Sequence, residues 1–339
     1  MLLLVNSSQA QVISPFNKLG LKDSSANYSF IVSGHFHGAS TNISSFPASS
    51  IQANIDTLNA LHPAFMMSLG DLFLDVNDTY IQHYQKSLFD KLKMPLFNAV
   101  GNHDLANGNR YEQLFGKEYF YFTVQSELFV VLNTELNNGS IKGEQLEMLQ
   151  KAISQIAEKK IKNVFIFSHR PIWSESIGKY KNLFEGNTRS ALSTNFDSDL
   201  KPLLKSIPAS VHTFWCSGSM GAAAPASFFY DKDAETNVVF MQTAIRDLPR
   251  DAALLVNVNN GAVTLNGISF TGQQLNAIET YNLDYWSKTT APEQKFNYRL
   301  LPYLTMQMLV HPYFWIGLTS GLLLILIFSI IRKRWKRKK

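Results

Sequence analysis

The chain has 339 residues, 45% of them hydrophobic and 17% charged, which provides for a large folded core and excludes a disordered polar chain. Its one cysteine, Cys216, excludes an internal disulfide and a cysteine-rich zinc site, so any metal must be bound by histidine, carboxylate or amide groups. The net charge of +5 comes from the last eight positions, which hold seven of the 31 basic residues. The rest of the chain has 24 basic and 26 acidic residues, a net charge of −2, so no nucleic-acid partner is expected.

The N-terminus carries part of an export signal. An apolar segment at 1–5 is followed by Ser8 and Ala10 in the spacing of a signal-peptidase site. Five apolar residues are fewer than the roughly 7–15 of a complete signal peptide, and no basic segment precedes them. We therefore interpret residues 1–23 as the remnant of a signal peptide followed by an N-terminal segment. The alternative is the frayed N-terminus of a cytosolic, tail-anchored protein.

Short apolar runs rich in Val, Ile and Phe alternate with helical patterns between residues 24 and 270. Eight runs are predicted strands: 29–33, 65–69, 96–100, 119–124, 128–133, 164–168, 212–216 and 237–242. Three stretches are predicted helices: 47–61, 79–92 and 142–159. A final hairpin is predicted over 253–270, with its turn at 259–261. This alternation predicts an α/β sandwich of mixed sheets in one domain, 24–270.

The C-terminal part predicts a membrane anchor. Residues 314–331 form an uncharged run of 18 residues, close to the ~20 needed to cross a hydrocarbon core of about 30 Å. Aromatic residues flank this run, and the basic residues follow on one side only. We predict a stalk or membrane-proximal segment over 271–312, a single transmembrane helix over 313–331, a basic cytoplasmic tail over 332–339, and a folded domain outside the cytoplasm. A buried core helix is the alternative.

Polar residues directly follow four of the predicted strands. The first group is GHFHG at 34–38, which contains His35 and His37, and the second is GD at 70–71. GNHD at 101–104 and SHRP at 168–171 follow the third and the sixth strand. Because α/β proteins place their sites at the carboxyl ends of strands, these groups are candidates for one site. Imidazole, carboxylate and amide oxygen together suit divalent metal ions.

The order of these motifs resembles the calcineurin-like metallophosphoesterases over roughly residues 27–270, with GNHD as the most specific element. The resemblance implies a two-sheet α/β sandwich and a dinuclear metal centre. Carried over residue by residue, it implies that Asp71 is the bridging carboxylate. It further implies that Asn102 and His169 are ligands of one metal and that His37 is a ligand of the other.

The same resemblance makes His103 the group that protonates or stabilises the leaving group, with Asp104 as its orienting partner. An imidazole at this position can act as a general acid. Two motifs depart from the family pattern. His35 stands where the first motif of the family has an aspartate, and Ser219 and Gly221 stand where its last motif, GHxH, has two histidines. The first and the last metal motifs are therefore degenerate.

The number of metals depends on His35. If this residue coordinates, one metal keeps His35, His37 and Asp71 and the other keeps Asp71, Asn102 and His169. Three protein ligands each is the count of an open catalytic zinc site. If it does not, one metal has only two protein ligands. We predict two divalent ions, of Zn, Fe, Mn or Ni, or only one ion in the second case. The loss of an aspartate favours the metals that prefer imidazole, which are Zn, Fe and Ni.

These observations predict a membrane-anchored, metal-dependent phosphoesterase that hydrolyses a phosphomonoester or phosphodiester with metal-activated water. The substrate partner is a phosphoester, and a lipid or an envelope-linked phosphoester fits a tethered enzyme. The alternative is a catalytically inactive pseudoenzyme, a membrane-tethered binding module that uses the old active-site face. It is supported by His35, Ser219 and Gly221. A hydrolase with one metal lies between the two.

Overall fold

Two β-sheets form the framework of the chain, in a computed structural model that describes residues 12–21, 25–42, 44–175, 178–184, 194–290 and 301–336. The described strands are β1 (Asn27–Ser33), β2 (Phe65–Ser68), β3 (Leu96–Asn98), β4 (Phe120–Val124), β5 (Glu127–Val131), β6 (Asn163–Ser168), β7 (His212–Ser217), β8 (Phe228–Lys232), β9 (Val238–Thr243), β10 (Ala252–Asn259) and β11 (Ala262–Ser269). The described α-helices are α1 (Ser49–Gln52), α2 (Ile55–Ala60), α3 (Asp78–Ser87), α4 (Arg110–Phe115), α5 (Glu144–Ser154), α6 (Gly178–Phe184), α7 (Lys201–Lys205), α8 (Leu283–Lys288), α9 (Leu301–Val310) and α10 (Pro312–Lys336).

Both sheets are mixed. The first has the order β11-β10-β1-β2-β3, in which β1, β2 and β3 are parallel and the β10–β11 hairpin is antiparallel to β1. The second has the order β4-β5-β6-β7-β9-β8, in which only the edge strands β4 and β8 are antiparallel to their neighbours. Inner strands such as β6 are buried at every position because they are nearly continuous apolar runs. The predicted two-sheet α/β sandwich is confirmed.

A core of phenylalanine rings lies between the two sheets. Phe30 and Phe65 of the first sheet stack with their ring centroids 4.8 Å apart. Phe129 and Phe165 of the second sheet meet Phe30 edge-on, at 5.3 and 5.1 Å. All four rings are fully buried, and each contributes about 1.5–3 kcal/mol to the free energy of unfolding. This packing holds the ends of β1, β2 and β6 beside one another.

The predicted helix over 47–61 is two short helices, α1 and α2. The break lies at Asn54, whose buried side-chain amide donates to the carbonyls of Ser50 and Phe270, at 2.7 and 3.0 Å. The contact with Phe270 joins this segment to the end of β11. Such a long-range hydrogen bond has no counterpart in the local sequence pattern, and tertiary contacts of this kind override helix propensity.

Two further differences lie at element ends and at a sheet edge. The helix predicted over 79–92 corresponds to α3 and a 3₁₀ turn at Phe89–Lys91. α3 begins after Asn77 because the Asn77 side chain accepts hydrogen bonds from the backbone N–H groups of Thr79 and Tyr80. The edge strand β8 was not predicted. It has only five residues and ends in the charged residues Asp231 and Lys232, so its apolar run is short.

The packing of the domain continues beyond Phe270. Ile278, Tyr281 and Trp286 are buried, and the indole N–H of Trp286 donates to the carbonyl oxygen of Phe228 at 2.9 Å. The helix α8 therefore packs against β8 at the edge of the second sheet. At the other end of the chain, the predicted signal-peptide remnant lies largely outside the described residues.

One long apolar helix is a candidate membrane span. Its apolar stretch covers Pro312–Trp335, and no part of the most apolar window is buried inside the protein. This stretch contains the predicted transmembrane segment, 313–331. In length and composition, α10 is therefore sufficient to cross a bilayer.

Candidate metal centre

The predicted site residues come together where the carboxyl ends of strands from both sheets meet. His35 and His37 follow β1, Asp71 follows β2, and His169 follows β6 directly. None of these four residues is more than 3% exposed. Burying a carboxylate together with three imidazoles is costly unless a partner satisfies their polar atoms.

Three imidazoles converge on a single carboxylate oxygen. Oδ2 of Asp71 lies 3.3 Å from Nε2 of His35, 3.7 Å from Nε2 of His37 and 3.5 Å from Nε2 of His169. Two ligand atoms, each about 2.1 Å from a tetrahedral metal, are about 3.4 Å apart. The observed separations are therefore those of metal ligands and are longer than good hydrogen bonds.

The hydrogen bonding of His169 leaves its Nε2 for a metal. Nδ1 of this ring lies 2.8 Å from the carbonyl oxygen of Leu69, and because a carbonyl can only accept, Nδ1 carries the proton. Nε2 is then a buried lone pair facing the carboxylate of Asp71, with no hydrogen-bond partner among the described residues. Two facing lone pairs repel each other, and a cation between them removes the repulsion. The residues present therefore fit a divalent metal ion.

Two overlapping groups of described side chains could hold a metal. One comprises His35, Asp71 and His169, and the other comprises His37, Asp71 and His103; within each group the ligand atoms lie within 4.8 Å of one another. Asp71 belongs to both groups, which is the position of a bridging carboxylate. The pairing differs from the expectation that His35 and His37 share one metal and that His103 is not a ligand.

His103 is only half-buried, unlike the other histidines of the centre. Its backbone N–H donates to Oδ1 of Asp71 at 3.1 Å, and its ring Nδ1 lies 3.1 Å from the carbonyl oxygen of Leu74. The carbonyl makes Nδ1 the protonated nitrogen. Nε2 is therefore the atom through which this ring can bind a metal or transfer a proton.

Asp104 orients the turn after β3 and not the ring of His103, so its predicted role as the partner of that ring is corrected. Its buried carboxylate accepts from the backbone N–H groups of Phe73 and Gly101, at 2.9 and 3.0 Å, and from the side-chain amide of Asn98 at 3.0 Å. Burial, with a smaller effect of a neighbouring carboxylate, raises the pKa of Asp104 to about 6. The ring of His103 is oriented by a backbone carbonyl instead.

The backbone around the centre is strained. His35, at φ 56°, and Asp71, at φ 52°, both adopt the left-handed conformation, which costs on the order of 1–3 kcal/mol for such residues and clusters at functional sites. A Cβ on Gly101 would lie 2.3 Å from Oδ1 of Asp71, so only glycine lets this turn approach the carboxylate. Asn102, the next residue, is half-buried beside it and stays a predicted ligand.

The electrostatics of the centre favour the protonation states that bind metal. Burial opposes ionisation of Asp71, but the surrounding imidazoles, first of all His169, outweigh it and hold the pKa of Asp71 well below its usual range. Burial lowers the pKa of His35 and His37, and the positive charge of Arg246 lowers both further. An ionised carboxylate and neutral imidazoles are the forms that coordinate a metal.

An arginine lies where the resembled family has its last metal motif. Arg246 follows β9; its Nε donates to the carbonyl oxygen of Met220 at 2.9 Å, and its Nη2 lies 3.4 Å from Nε2 of His35. Met220 stands between Ser219 and Gly221, the two positions without a histidine. Arg246 was not among the predicted site residues. The available indication was its position just after an apolar strand.

A second arginine near the centre is already paired. Arg170 follows His169, and its guanidinium forms a two-point ion pair with Glu135, with Nε donating to Oε1 at 2.6 Å. The charge of Arg170 is thereby neutralised within the protein.

Comparison with known proteins identifies relatives in sequence. No model of a protein family matches the chain. The chain is similar to the serine/threonine-protein phosphatase CPPED1 of Mus musculus, with 30% identity over 149 residues, which is 38% of this chain and 48% of that protein. The same protein of Pongo abelii is 31% identical over 118 residues, or 30% and 37% of the two chains. The chain thus spans less than half the length of the curated relatives it matches.

Two solved structures share the fold at 12% sequence identity. A dimetal phosphatase from Danio rerio covers 74% of this chain and 99% of its own, with a TM-score of 0.51. GAP50, described as the anchor in the inner membrane complex of Plasmodium, covers 82% of this chain and 94% of its own, with a TM-score of 0.53. The relatives in sequence are phosphatases, and one of these structures is a dimetal phosphatase. The resemblance in sequence motifs and the two-sheet fold are confirmed together.

Proposed function

We propose that this chain, which has the fold and the motif order of the calcineurin-like metallophosphoesterases, is a membrane-anchored, metal-dependent phosphoesterase. Its substrate is a phosphomonoester or a phosphodiester, and a lipid or envelope-linked phosphoester fits an enzyme tethered to a bilayer. The observation that carries the proposal is the convergence of three buried histidine Nε2 atoms on Oδ2 of Asp71. A buried carboxylate surrounded by three imidazoles is a cluster of titratable groups of the kind that marks functional sites.

We assign Asp71, His37 and His169 to metal binding, with Asn102 beside them. A divalent ion held by these residues would supply activation of water and neutralisation of charge on a phosphoryl oxygen. The low pKa of Asp71 keeps its carboxylate ionised at neutral pH. The Leu69 carbonyl holds the proton of His169 on Nδ1 and so keeps Nε2 available.

We assign proton transfer to His103. The carbonyl of Leu74 keeps one proton on Nδ1, and a second proton on Nε2 can pass to the leaving oxygen as the ester bond breaks. Asp104 is a positioning residue, because it holds the turn that carries His103 against Asp71.

We assign α10 to the membrane and the folded domain to the outside of the cytoplasm. The basic residues 332–339 follow the apolar stretch, and such residues stay on the cytoplasmic side. A reporter enzyme fused after Lys339 is expected to be active only in the cytoplasm. Activity of that reporter outside the cytoplasm contradicts this orientation.

The activity is tested on the full chain purified in detergent. Bound metal is measured by elemental analysis after loading with Zn, Fe, Mn or Ni, and hydrolysis is measured with p-nitrophenyl phosphate and bis(p-nitrophenyl) phosphate. We expect metal-dependent hydrolysis that falls at least about 100-fold in His103→Ala. The control, His212→Ala, removes an exposed histidine at the start of β7 and is expected to keep the wild-type rate. Absence of metal after loading, with equal rates for wild type and His103→Ala, contradicts the proposal.

A pseudoenzyme is the second candidate function. It is favoured by Ser219 and Gly221 in place of two histidines, and by the guanidinium of Arg246 beside them. In this case the centre holds a ligand or a partner protein without turnover. The same assay separates the two functions, because a pseudoenzyme shows no metal-dependent hydrolysis of either ester while remaining folded.

A further inference from the structure

Arg246 is fixed in position by contacts at both ends. Its backbone N–H donates to Oδ1 of Asp251 at 3.0 Å, and Nε donates to the carbonyl oxygen of Met220 at 2.9 Å. Met220 belongs to the segment 218–221, which replaces the last metal motif of the resembled family. The guanidinium therefore lies beside the segment in which Ser219 and Gly221 replace two histidines, next to His35.

The contact with Arg246 competes with metal binding at His35. An arginine nitrogen can only donate, so when Nε2 of His35 carries no proton its lone pair accepts from Nη2 of Arg246 at 3.4 Å, while the same atom lies 3.3 Å from Oδ2 of Asp71. The lone pair that a metal needs is then directed toward the guanidinium. A divalent ion on this nitrogen would also lie close to a fixed positive charge in a buried site, where repulsion is only weakly screened.

Arg246 also has hydrogen-bonding capacity that the protein does not use. Arg250, the next arginine in the chain, donates to the carbonyls of Ala226 and Gly221, at 3.0 and 2.8 Å, and is buried. Arg170 is paired with Glu135. Nη1 of Arg246 has no hydrogen-bond partner in the part of the chain that the structure describes, whereas both terminal nitrogens of Arg250 donate and only its buried Nε has none. A guanidinium is suited to bind two phosphoryl oxygens at once.

We propose that Arg246 is the second cation of the centre. Its guanidinium takes the place of a metal ion on the His35 side and binds phosphoryl oxygens of the substrate, next to a single metal ion at Asp71. The substrate class in this inference rests on the proposed function. The arrangement keeps two positive charges at the phosphoryl group although the chain lacks two of the expected metal ligands.

The first test measures binding of inorganic phosphate to the metal-loaded full chain in detergent, by titration calorimetry. We expect Arg246→Gln to raise the Kd for phosphate by about tenfold or more. Arg246→Lys keeps the charge and is expected to raise it less. Arg110→Gln is the matched control, because Arg110 is ion-paired with the exposed carboxylate of Asp78 and not with a residue of the centre. Circular dichroism checks that each variant is folded. Wild-type affinity in folded Arg246→Gln, or no phosphate binding by the wild type, overturns the proposal.

The second test measures metal stoichiometry on the wild type, and so does not depend on the folding of any variant. Elemental analysis is expected to give one ion per chain at saturating metal, and two ions per chain overturn the proposal. The outcomes separate it from the proposed function. If the wild type hydrolyses the esters and Arg246→Gln binds phosphate with unchanged affinity, only the role of Arg246 is contradicted. Loss of phosphate affinity in Arg246→Gln, with no hydrolysis by the wild type, supports Arg246 and contradicts the phosphoesterase.

Discussion

The two sides of the metal centre contain different chemistry on a similar backbone. The matched side keeps the residues that the family resemblance predicts: Asp71, Asn102, His103 and His169. The altered side consists of the segments after β7 and β9, residues 218–221 and 244–251, and carries Arg246 in place of metal-binding histidines.

The backbone approaches neighbouring atoms closely on both sides. On the matched side, a Cβ on Gly101 would lie 2.3 Å from Oδ1 of Asp71. On the altered side, a Cβ on Gly218 would lie 2.1 Å from the carbonyl oxygen of Leu69. The loop after β7 thus packs against Leu69, whose carbonyl contacts His169, as closely as the turn after β3 packs against Asp71.

The largest effect is expected from Asp71→Asn on the matched side. The substitution keeps the size of the side chain but removes the charge toward which His35, His37 and His169 converge. Changes to groups that only support metal ligands already cost about 10–100-fold in affinity or activity, so we expect a loss of at least about 100-fold in hydrolysis, with loss of bound metal. Elemental analysis and the ester assay measure both. Retained metal and rate would show that the convergence on Asp71 is structural only.

The stability of Asp71→Asn separates lost chemistry from lost folding. Without metal, the imidazoles hold the pKa of Asp71 well below its usual range, so the ionised carboxylate stabilises the folded state, and the free energy of unfolding of the metal-free variant is expected to be lower than that of the metal-free wild type at neutral pH. Urea unfolding followed by circular dichroism checks this. A variant that is already unfolded without urea would mean that the lost activity reports unfolding.

A second prediction compares Gly101→Ala with Gly218→Ala. Each adds a methyl group against a rigid neighbour, Oδ1 of Asp71 or the Leu69 carbonyl, so each is expected to lower the free energy of unfolding by about 1–3 kcal/mol. Only Gly101→Ala displaces the metal-binding carboxylate itself. We therefore expect it to reduce hydrolysis at least about tenfold more than Gly218→Ala does.

The control for this pair is Gly178→Ala, at the start of α6, where an added Cβ meets no atom within 4 Å. It is expected to leave activity unchanged and stability equal or slightly higher, because alanine is the better helix residue. Equal loss of activity in Gly101→Ala and Gly218→Ala would remove the distinction between the two sides.

A third prediction concerns pH and the carboxylate that supports Arg246. Burial, with the negative charge of Asp247, raises the pKa of Asp251 to about 7, against the opposing charge of Arg250. From about pH 4 to 7 the folded state therefore binds more protons than the unfolded state. Asp251 then makes the free energy of unfolding fall as pH rises, by up to about 1.4 kcal/mol per pH unit.

Asp251→Asn tests this prediction because asparagine retains the acceptor for the N–H of Arg246 but cannot titrate. Urea unfolding of the wild type and the variant between pH 5 and 8 should show a flatter pH dependence in the variant. Parallel curves for the two proteins would show that Asp251 does not titrate in this range. The altered side would then be less buried than its geometry indicates.

The matched side could be predicted from the sequence because each of its residues lies in a short motif directly after an apolar strand. His169 after β6 is an example, since the strand and its metal ligand are adjacent in the chain. The orientation of Asp104 could not be predicted. Its neighbour in sequence, His103, faces Leu74, while Asp104 turns to backbone N–H groups of its own turn and of Phe73.

The altered side could not be predicted because it depends on strand order. β7 pairs directly with β9, while β8, which lies between them in sequence, forms the edge of the sheet. This order brings Arg246 next to Met220 across 26 positions of the chain. Since β8 was not recognised as a strand, no local pattern in the sequence connected the arginine with the degenerate motif.

The smallest effect is expected at Cys216, which lies in β7 two residues before Gly218. Its thiol is fully buried, and burial raises its pKa. Because the thiolate is the reactive form, we expect no measurable reaction of the native protein with a maleimide and complete reaction after unfolding in urea. The rate at which the maleimide labels Cys216 at intermediate urea then measures how readily the altered side unfolds locally. In Arg246→Gln this rate is expected to be a few-fold higher than in the wild type, because the substitution removes the hydrogen bond to Met220. Rapid labelling of the native wild type would show that the loop after β7 is not held against Leu69 in solution, and the close approach on the altered side would no longer hold.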